Sequence, residues 1–147
     1  MAQHGSPTGA HSDRLLECVV VTPEATALET QAQFVALPLY DGEIGIAPLH
    51  SPMIGRLGYG ELRITLPSGE IARYYVDGGF VQVADNVVSV LTNRAVPASQ
   101  LNATTAQEQL SAAQRKPVHT DELLAIRDRR IAQSRAQLRV AQRANMK

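Results

Sequence analysis

The sequence predicts an all-β sandwich N-terminal domain followed by a C-terminal α-helical hairpin of two antiparallel helices. Three observations carry that prediction. Strand signals, apolar β-branched runs and stretches of period-two alternation, run throughout residues 14–96, with turn signals at short intervals. The composition changes abruptly after Pro97, beyond which no glycine occurs. The remainder is rich in Ala, Gln, Leu and Arg, all good helix formers, and is interrupted only by Pro117. The expected division is a flexible tail over 1–13, the sandwich over 14–97 and the hairpin over 98–147.

Each strand has its own local reason. Residues 14–22 form an apolar, β-branched run, and 33–39 a second one closed by Pro38 and the turn Tyr40-Asp41-Gly42. Leu62, Ile64 and Leu66 alternate with polar neighbours before Pro67-Ser68-Gly69 reverses the chain into 70–77. A second hairpin joins Phe80–Ala84 to Val87–Thr92 through Asp85-Asn86, two residues that tolerate the positive φ of a tight turn. Gly78-Gly79 ahead of it permits a sharp bend or bulge.

The helices are bounded just as locally. Asn102, Thr104 and Thr105 offer N-caps, and Thr105 with Glu108 fits a capping box for a helix over about 103–115. Pro117 ends it. Thr120 caps a second helix whose first turn carries Asp121 and Glu122, favourable against the helix dipole. Leu124, Ile131 and Leu138 recur every seven residues with Ala141 beside them, a stripe expected to pack against Leu110 and Ala113. Arg135, Arg139 and Arg143 form a basic ridge at i, i+4, i+8, in a stretch with no acid after Asp128.

Charge is zero overall but polarised. Eleven acids against five basic residues precede Gln114; from there on nine basic residues face three acids. Such asymmetry predicts different partners for the two parts. The single cysteine, Cys18, lies in an apolar run, so neither an internal disulfide nor a metal site is expected, only a small buried hydrophobe. No apolar stretch reaches the ~20 residues needed to cross a bilayer, and Met1–Asp13 lacks the apolar middle of a signal peptide. The expectation is a soluble chain that meets a membrane only through a partner.

Catalytic patterns are missing. There is no phosphate-binding glycine loop, no His-Glu-x-x-His, and no acid to orient His50 beside Ser51. Neither a catalytic residue nor a cofactor or metal ligand is expected. The basic helix has no interleaved aromatics and the rest of the chain is acidic, against the usual nucleic-acid footprint. A non-enzymatic adaptor whose hairpin binds nucleic acid or an acidic protein is one reading these residues leave open; a coupling part of a larger machine is the other.

Residues Asp41-Gly42-Glu43-Ile44-Gly45-Ile46-Ala47-Pro48-Leu49-His50-Ser51-Pro52-Met53-Ile54 read as a pre-ordered loop suited to a fixed docking surface. The segment resembles the Gly-Glu-Leu-Gly-Ile-x-Pro-x-His-x-Pro signature of the epsilon subunit of rotary F-type ATP synthases, called delta in the mitochondrial enzyme. Two further stretches match in order. Asp77–Val83 with Asn86–Leu91 resembles the family's Gly-Gly hairpin, and Ile131–Val140 is similar to its final helix.

The resemblance implies a non-catalytic rotor-stalk subunit bound to gamma and resting on the c-ring, within a membrane complex that also holds alpha and beta. It implies that Glu43, His50 and Ser51 lie in a loop facing the c-ring. It also implies a hairpin that folds down on the sandwich or extends to inhibit ATP hydrolysis, with Arg127, Arg129, Arg130, Arg135, Arg139 and Arg143 meeting an acidic segment of beta. A bacterial setting places the chain on the cytoplasmic face of the inner membrane, with no nucleic-acid partner. One motif departs. Where some members carry Ile-Asp-x-x-Arg-Ala and bind ATP, this chain reads Leu101-Asn102-Ala103-Thr104-Thr105-Ala106, without the acid or the arginine.

Overall fold

The computed structural model of the chain describes residues 15–144. The tail expected over 1–13 lies outside them. Eight strands follow in sequence: β1 Leu16–Val21, β2 Thr26–Ala32, β3 Phe34–Leu39, β4 Gly42–Ile46, β5 Met53–Thr65, β6 Ile71–Ala84, β7 Val87–Leu91 and β8 Ala95–Pro97. A short 3-10 turn over Ala98–Gln100 leads to helices α1, Ala103–Arg115, and α2, Asp121–Ala144. The sandwich followed by two helices agrees with the sequence prediction.

Hydrogen bonding runs β2-β1-β7-β6-β5-β3-β4, with β8 added on β6. All pairs are antiparallel except β1 with β7. The two layers share β5 and β6, of 13 and 14 residues. Their halves Met53–Leu57 and Gly79–Ala84 pair with each other, and that half of β6 continues into β7. The halves Tyr59–Thr65 and Ile71–Asp77 carry β3 and β8. Between them the strands bend at Gly78 and Gly79, at φ 73° and 108°. A Cβ on Gly79 would lie 1.9 Å from the Leu91 carbonyl oxygen, so only glycine fits the bend.

Period-two patterning sets what lies between the layers. Leu16, Cys18 and Val20 of β1, Val88 and Val90 of β7, Leu62 and Ile64 of β5, and Val76, Val81 and Val83 of β6 close one aliphatic core. Burial pushes the Cys18 thiol up to about 12, with the Glu17 charge adding to it. The turns obey the same local logic. Asp85 and Asn86 sit at φ 52° and 63°, as the β6–β7 connector requires.

Both helix starts are capped by side chains. Asn102 Oδ1 accepts the Thr105 N–H at 3.0 Å, so of the three candidates Asn102 caps α1; Thr120 Oγ1 accepts the Leu123 N–H at 3.1 Å at the start of α2. The buried face of α2 differs from the expected stripe. Leu124 remains 38% exposed, and Ser134, Ala136, Val140 and Ala141 are the buried residues. Small residues win because α2 faces both α1 and a sheet, and only short side chains allow so close an approach on two sides.

Candidate functional site

Two opposite faces of the sandwich carry the features that point to function. On the layer built from Tyr59–Thr65 and Ile71–Asp77, alternation turns Leu62, Ile64 and Val76 into the core and Glu61, Arg63, Arg73 and Tyr75 outward. Helix α2 lies on this outward face. Tyr75, Ala98, Ala136 and Val140 form a second buried cluster, flanked by Tyr59, Val96, Leu101 and Ala144. Gln133 Nε2 donates to Asp77 Oδ1 at 2.9 Å. The Tyr75 hydroxyl is buried without a partner, and burial together with the Asp77 carboxylate raises its pKa.

Charged groups gather at one edge of that contact. The Glu61 side chain is 3% exposed, and its Oε1 accepts from Arg63 Nη1 at 3.1 Å, Arg143 Nη1 at 3.3 Å and Arg73 Nη1 at 3.4 Å. Arg63 also grips Glu43 with both terminal nitrogens, at 3.0 and 3.1 Å. Hydrogen bonding to Glu43, and to Glu61 as well, outweighs desolvation and raises the Arg63 pKa.

The structure divides the residues expected in one loop. Glu43 belongs to strand β4 and is ion-paired on the hairpin-bearing face. The loop reading fails because Ile44 and Ile46 alternate with Glu43 and Gly45, so Gly42–Ile46 pairs with β3. A Cβ on Gly45 would stand 2.5 Å from the tip of the Phe34 ring, which is 41% exposed and would have to turn aside. His50 and Ser51 do lie in a short loop, between β4 and β5. His50 Nδ1 lies 2.7 Å from the Ser51 carbonyl oxygen, and Leu49 N donates to Asn86 Oδ1, tying the loop to the β6–β7 turn. Glu43 stands four residues before the loop begins at Ala47, about 13 Å of strand rise.

The hairpin arginines also separate. Arg129, Arg130, Arg135 and Arg139 are exposed and make no ion pair among the described residues. Arg127 is half-buried, 3.8 Å from Asp128, and Arg143 is held by Glu61. Arg94, Lys116, Arg127 and Arg130 line a cleft of about 490 Å³, closed by Asp77, Pro117 and Leu123. Asn102 and Thr105, where the ATP-binding motif departs, are joined in the α1 cap. Among the described residues no cluster of His, Cys, Asp and Glu could hold a metal, and no helix is long and apolar enough to cross a membrane.

The other layer presents an apolar strip that the sequence reading missed. Phe80 and Leu91 are 58% and 51% exposed and lie side by side in register, between Arg56 on β5 and Val21 on β1. Ile54 is 76% exposed one register step away, and Arg56 stacks over the Tyr40 ring at 4.4 Å. Phe80 and Leu91 occupy the polar phase of strands whose other phase is already filled by valines. That is a sequence signal for a covered outer face.

The beta-sandwich domain model of the ATP synthase delta/epsilon chain matches residues 15–98. The ATP synthase epsilon chain of Rhodopirellula baltica is 50% identical over 126 residues, covering 86% of this chain and 98% of that one. The epsilon chain of Rubrobacter xylanophilus is 38% identical over 108 residues, covering 73% of each. Among solved structures, the mitochondrial ATP synthase of Euglena gracilis, an assembly of OSCP, F1 and c-ring, contains a chain with TM-score 0.78 and 18% identity. That match spans 91% of this chain and 82% of the other. A chain in the central stalk and c-ring of the Tetrahymena thermophila enzyme gives TM-score 0.66 at 15% identity, spanning 86% and 96%. At those identities the structures speak for the fold, while the sequence matches carry the assignment: the chain belongs to the delta/epsilon family of the ATP synthase and is a non-catalytic subunit of that complex.

Proposed function

We propose that the chain is a central-stalk rotor subunit of a proton-translocating F-type ATP synthase, coupling the c-ring to gamma and the catalytic head. The observation that carries this reading is the opposition of its two faces. The strip of Ile54, Phe80 and Leu91 is a rigid apolar surface, the kind a permanent partner covers. We assign it to gamma. The His50–Ser51 loop, pinned by Asn86, is assigned to the polar loops of the c-ring, while Glu43 serves the hairpin-bearing face. The names of the Euglena and Tetrahymena assemblies, which include c-ring and central stalk, support this placement.

The hairpin is the regulatory part. In the docked form Arg129, Arg130, Arg135 and Arg139 point to solvent, and Arg127 and Arg143 join them when α2 leaves the sheet. Extended, this basic surface meets an acidic segment of beta, with alpha alongside, and inhibits ATP hydrolysis. Contact with the membrane is through the complex, on the cytoplasmic face of a bacterial inner membrane; nucleic acid has no part.

The reading is tested in the reconstituted complex. Phe80→Asp should lose gamma in a pull-down while the isolated chain keeps its melting temperature; retained gamma binding would reject the assignment of the strip. Deleting the residues after Pro97 should leave assembly intact and raise ATPase activity. Unchanged activity would remove the inhibitory role.

A further inference from the structure

Glu61 and Arg63 connect two places that the proposed function keeps apart: the exposed edge strand β4 and the last turn of α2. Glu61 is a carboxylate with almost no contact with water, so it needs a cation whatever the hairpin does. Its Oε1 accepts from three arginines at 3.1–3.4 Å, while Oε2 is buried without a partner. One oxygen has two lone pairs, so three donors compete for it.

The three donors are not equivalent. Arg73 comes from the neighbouring strand of the same layer. Arg143 comes from α2 and is 56% exposed, which makes it the donor most easily lost to solvent. Arg63 is divided: Nη2 bonds Glu43 alone, while Nη1 bonds both Glu43 and Glu61. Glu43, itself 51% exposed, therefore holds Arg63 partly away from Glu61 and leaves room there for Arg143.

We infer that Glu43, Arg63, Glu61 and Arg143 form a charge-coupled latch, in which the state of Glu43 at the β4 edge sets how firmly α2 is held on the sheet. Neutralise Glu43, or let a cationic side chain of a partner take it, and Arg63 turns both donors onto Glu61. Arg143 is then displaced. Losing the Glu43 charge also weakens the local field that attracts Arg143, so both effects have the same sign. Release costs the sheet little, because Arg63 and Arg73 keep Glu61 compensated and its second oxygen gains access to water. The rest of the α2 contact consists of short side chains, Ala136, Val140 and Ala144, and the Gln133–Asp77 hydrogen bond, so a change of about threefold at Arg143 is large enough to be read in the docking equilibrium. The latch rests on the reading that α2 docks on the sheet and leaves it, and stands apart from the stalk assignment.

The test uses the isolated full chain with spin labels at Ser68→Cys and Ala132→Cys, both exposed positions, while the native Cys18 is buried. The electron–electron distance distribution is followed as salt is raised, and the docked fraction is read at each point. Arg143→Ala is expected to lower the docking constant about three- to fivefold at low salt and to flatten its salt dependence. Glu43→Gln should lower it about threefold, whereas Arg63→Gln should raise it, because Arg143 inherits the vacated donor site. In the Arg63→Gln background the effect of Glu43→Gln should shrink to its direct field effect on Arg143, well below about threefold.

That dependence on Arg63 distinguishes a latch from ordinary packing. If Glu43→Gln acts equally with and without Arg63, or if Arg63→Gln loosens the hairpin, the coupling is overturned. Glu43→Gln lies on an exposed strand edge and does not threaten the fold, so the outcome is readable even where Arg63→Gln lowers stability.

Discussion

Val140 offers the sharpest view of how the hairpin is held. It is 2% exposed and packs in a cluster with Tyr75 and Ala136, both fully buried. Val140→Ala removes two methyl groups from that contact and changes nothing in the sandwich core. At about 0.8 kcal/mol per buried carbon the loss is about 1.6 kcal/mol, or about fifteenfold in the docking equilibrium. The remaining cavity adds to this to the extent that α2 fails to settle into it. Most of the stability of a protein helix comes from its packed face, so undocking exposes the α2 amides to exchange. Hydrogen exchange should therefore accelerate about fifteenfold over residues 133–144 and remain unchanged in β1, β6 and β7. If the strand amides accelerate by the same factor, hairpin and sandwich open as one cooperative unit and the docked-or-released picture is wrong.

Other perturbations address the sandwich and the cleft. Gly79→Ala and Gly69→Ala both put a side chain at positive φ, but only Gly79 faces a backbone oxygen, whereas nothing lies within 4 Å of Gly69. Gly69→Ala should cost about 1 kcal/mol and Gly79→Ala at least 3 kcal/mol in urea unfolding; equal costs would refute the tight bend. Cys18 has a folded pKa of about 12 against 9.0 for a free thiol. Its contribution to stability is therefore whole below pH 9 and is lost as pH rises towards 12, at up to about 1.4 kcal/mol per pH unit. In Cys18→Val the decline should begin about one unit later, where the ordinary tyrosine value of 10.0 brings Tyr75 into play; an unshifted curve would exclude Cys18 as its source. Calorimetric titration with ATP should show no micromolar binding, because Asn102 and Thr105 offer the α1 cap no charged group for a phosphate.

What could be read in the sequence follows from the size of each local signal. Hairpins β5–β6 and β6–β7 are legible because Pro67-Ser68-Gly69 and Asp85-Asn86 punctuate strongly alternating runs, and Asn102, Thr120 and Pro117 delimit the helices. Strand β2 is not, because Thr-Ala-Leu-Glu-Thr-Gln-Ala is an edge strand, mostly exposed, with little apolar alternation. Two glycines disguise β4 as a loop, and Glu43 is consequently misplaced. The docking face of α2 is obscured for a different reason. Gln133, Ala136, Gln137 and Val140 look solvated until a sheet lies beneath them, and a sheet of this kind is known only once tertiary structure is known. The same holds for Glu61, which sits on the polar phase of its strand and gives no sign that a helix seals it from water.

The bend at Gly78–Gly79 allows β5 and β6 to run unbroken from one layer into the other. In an ordinary sandwich a sideways load is resisted by interdigitated side chains alone, which can slip by one repack. Here, sliding the layers past each other would have to stretch two continuous peptide chains or strip a twelve-pair ladder from its register. A part pushed from one end and pulled from the other is thus stiffened along covalent bonds, and an aliphatic interior with few aromatics suffices because it need only keep water out.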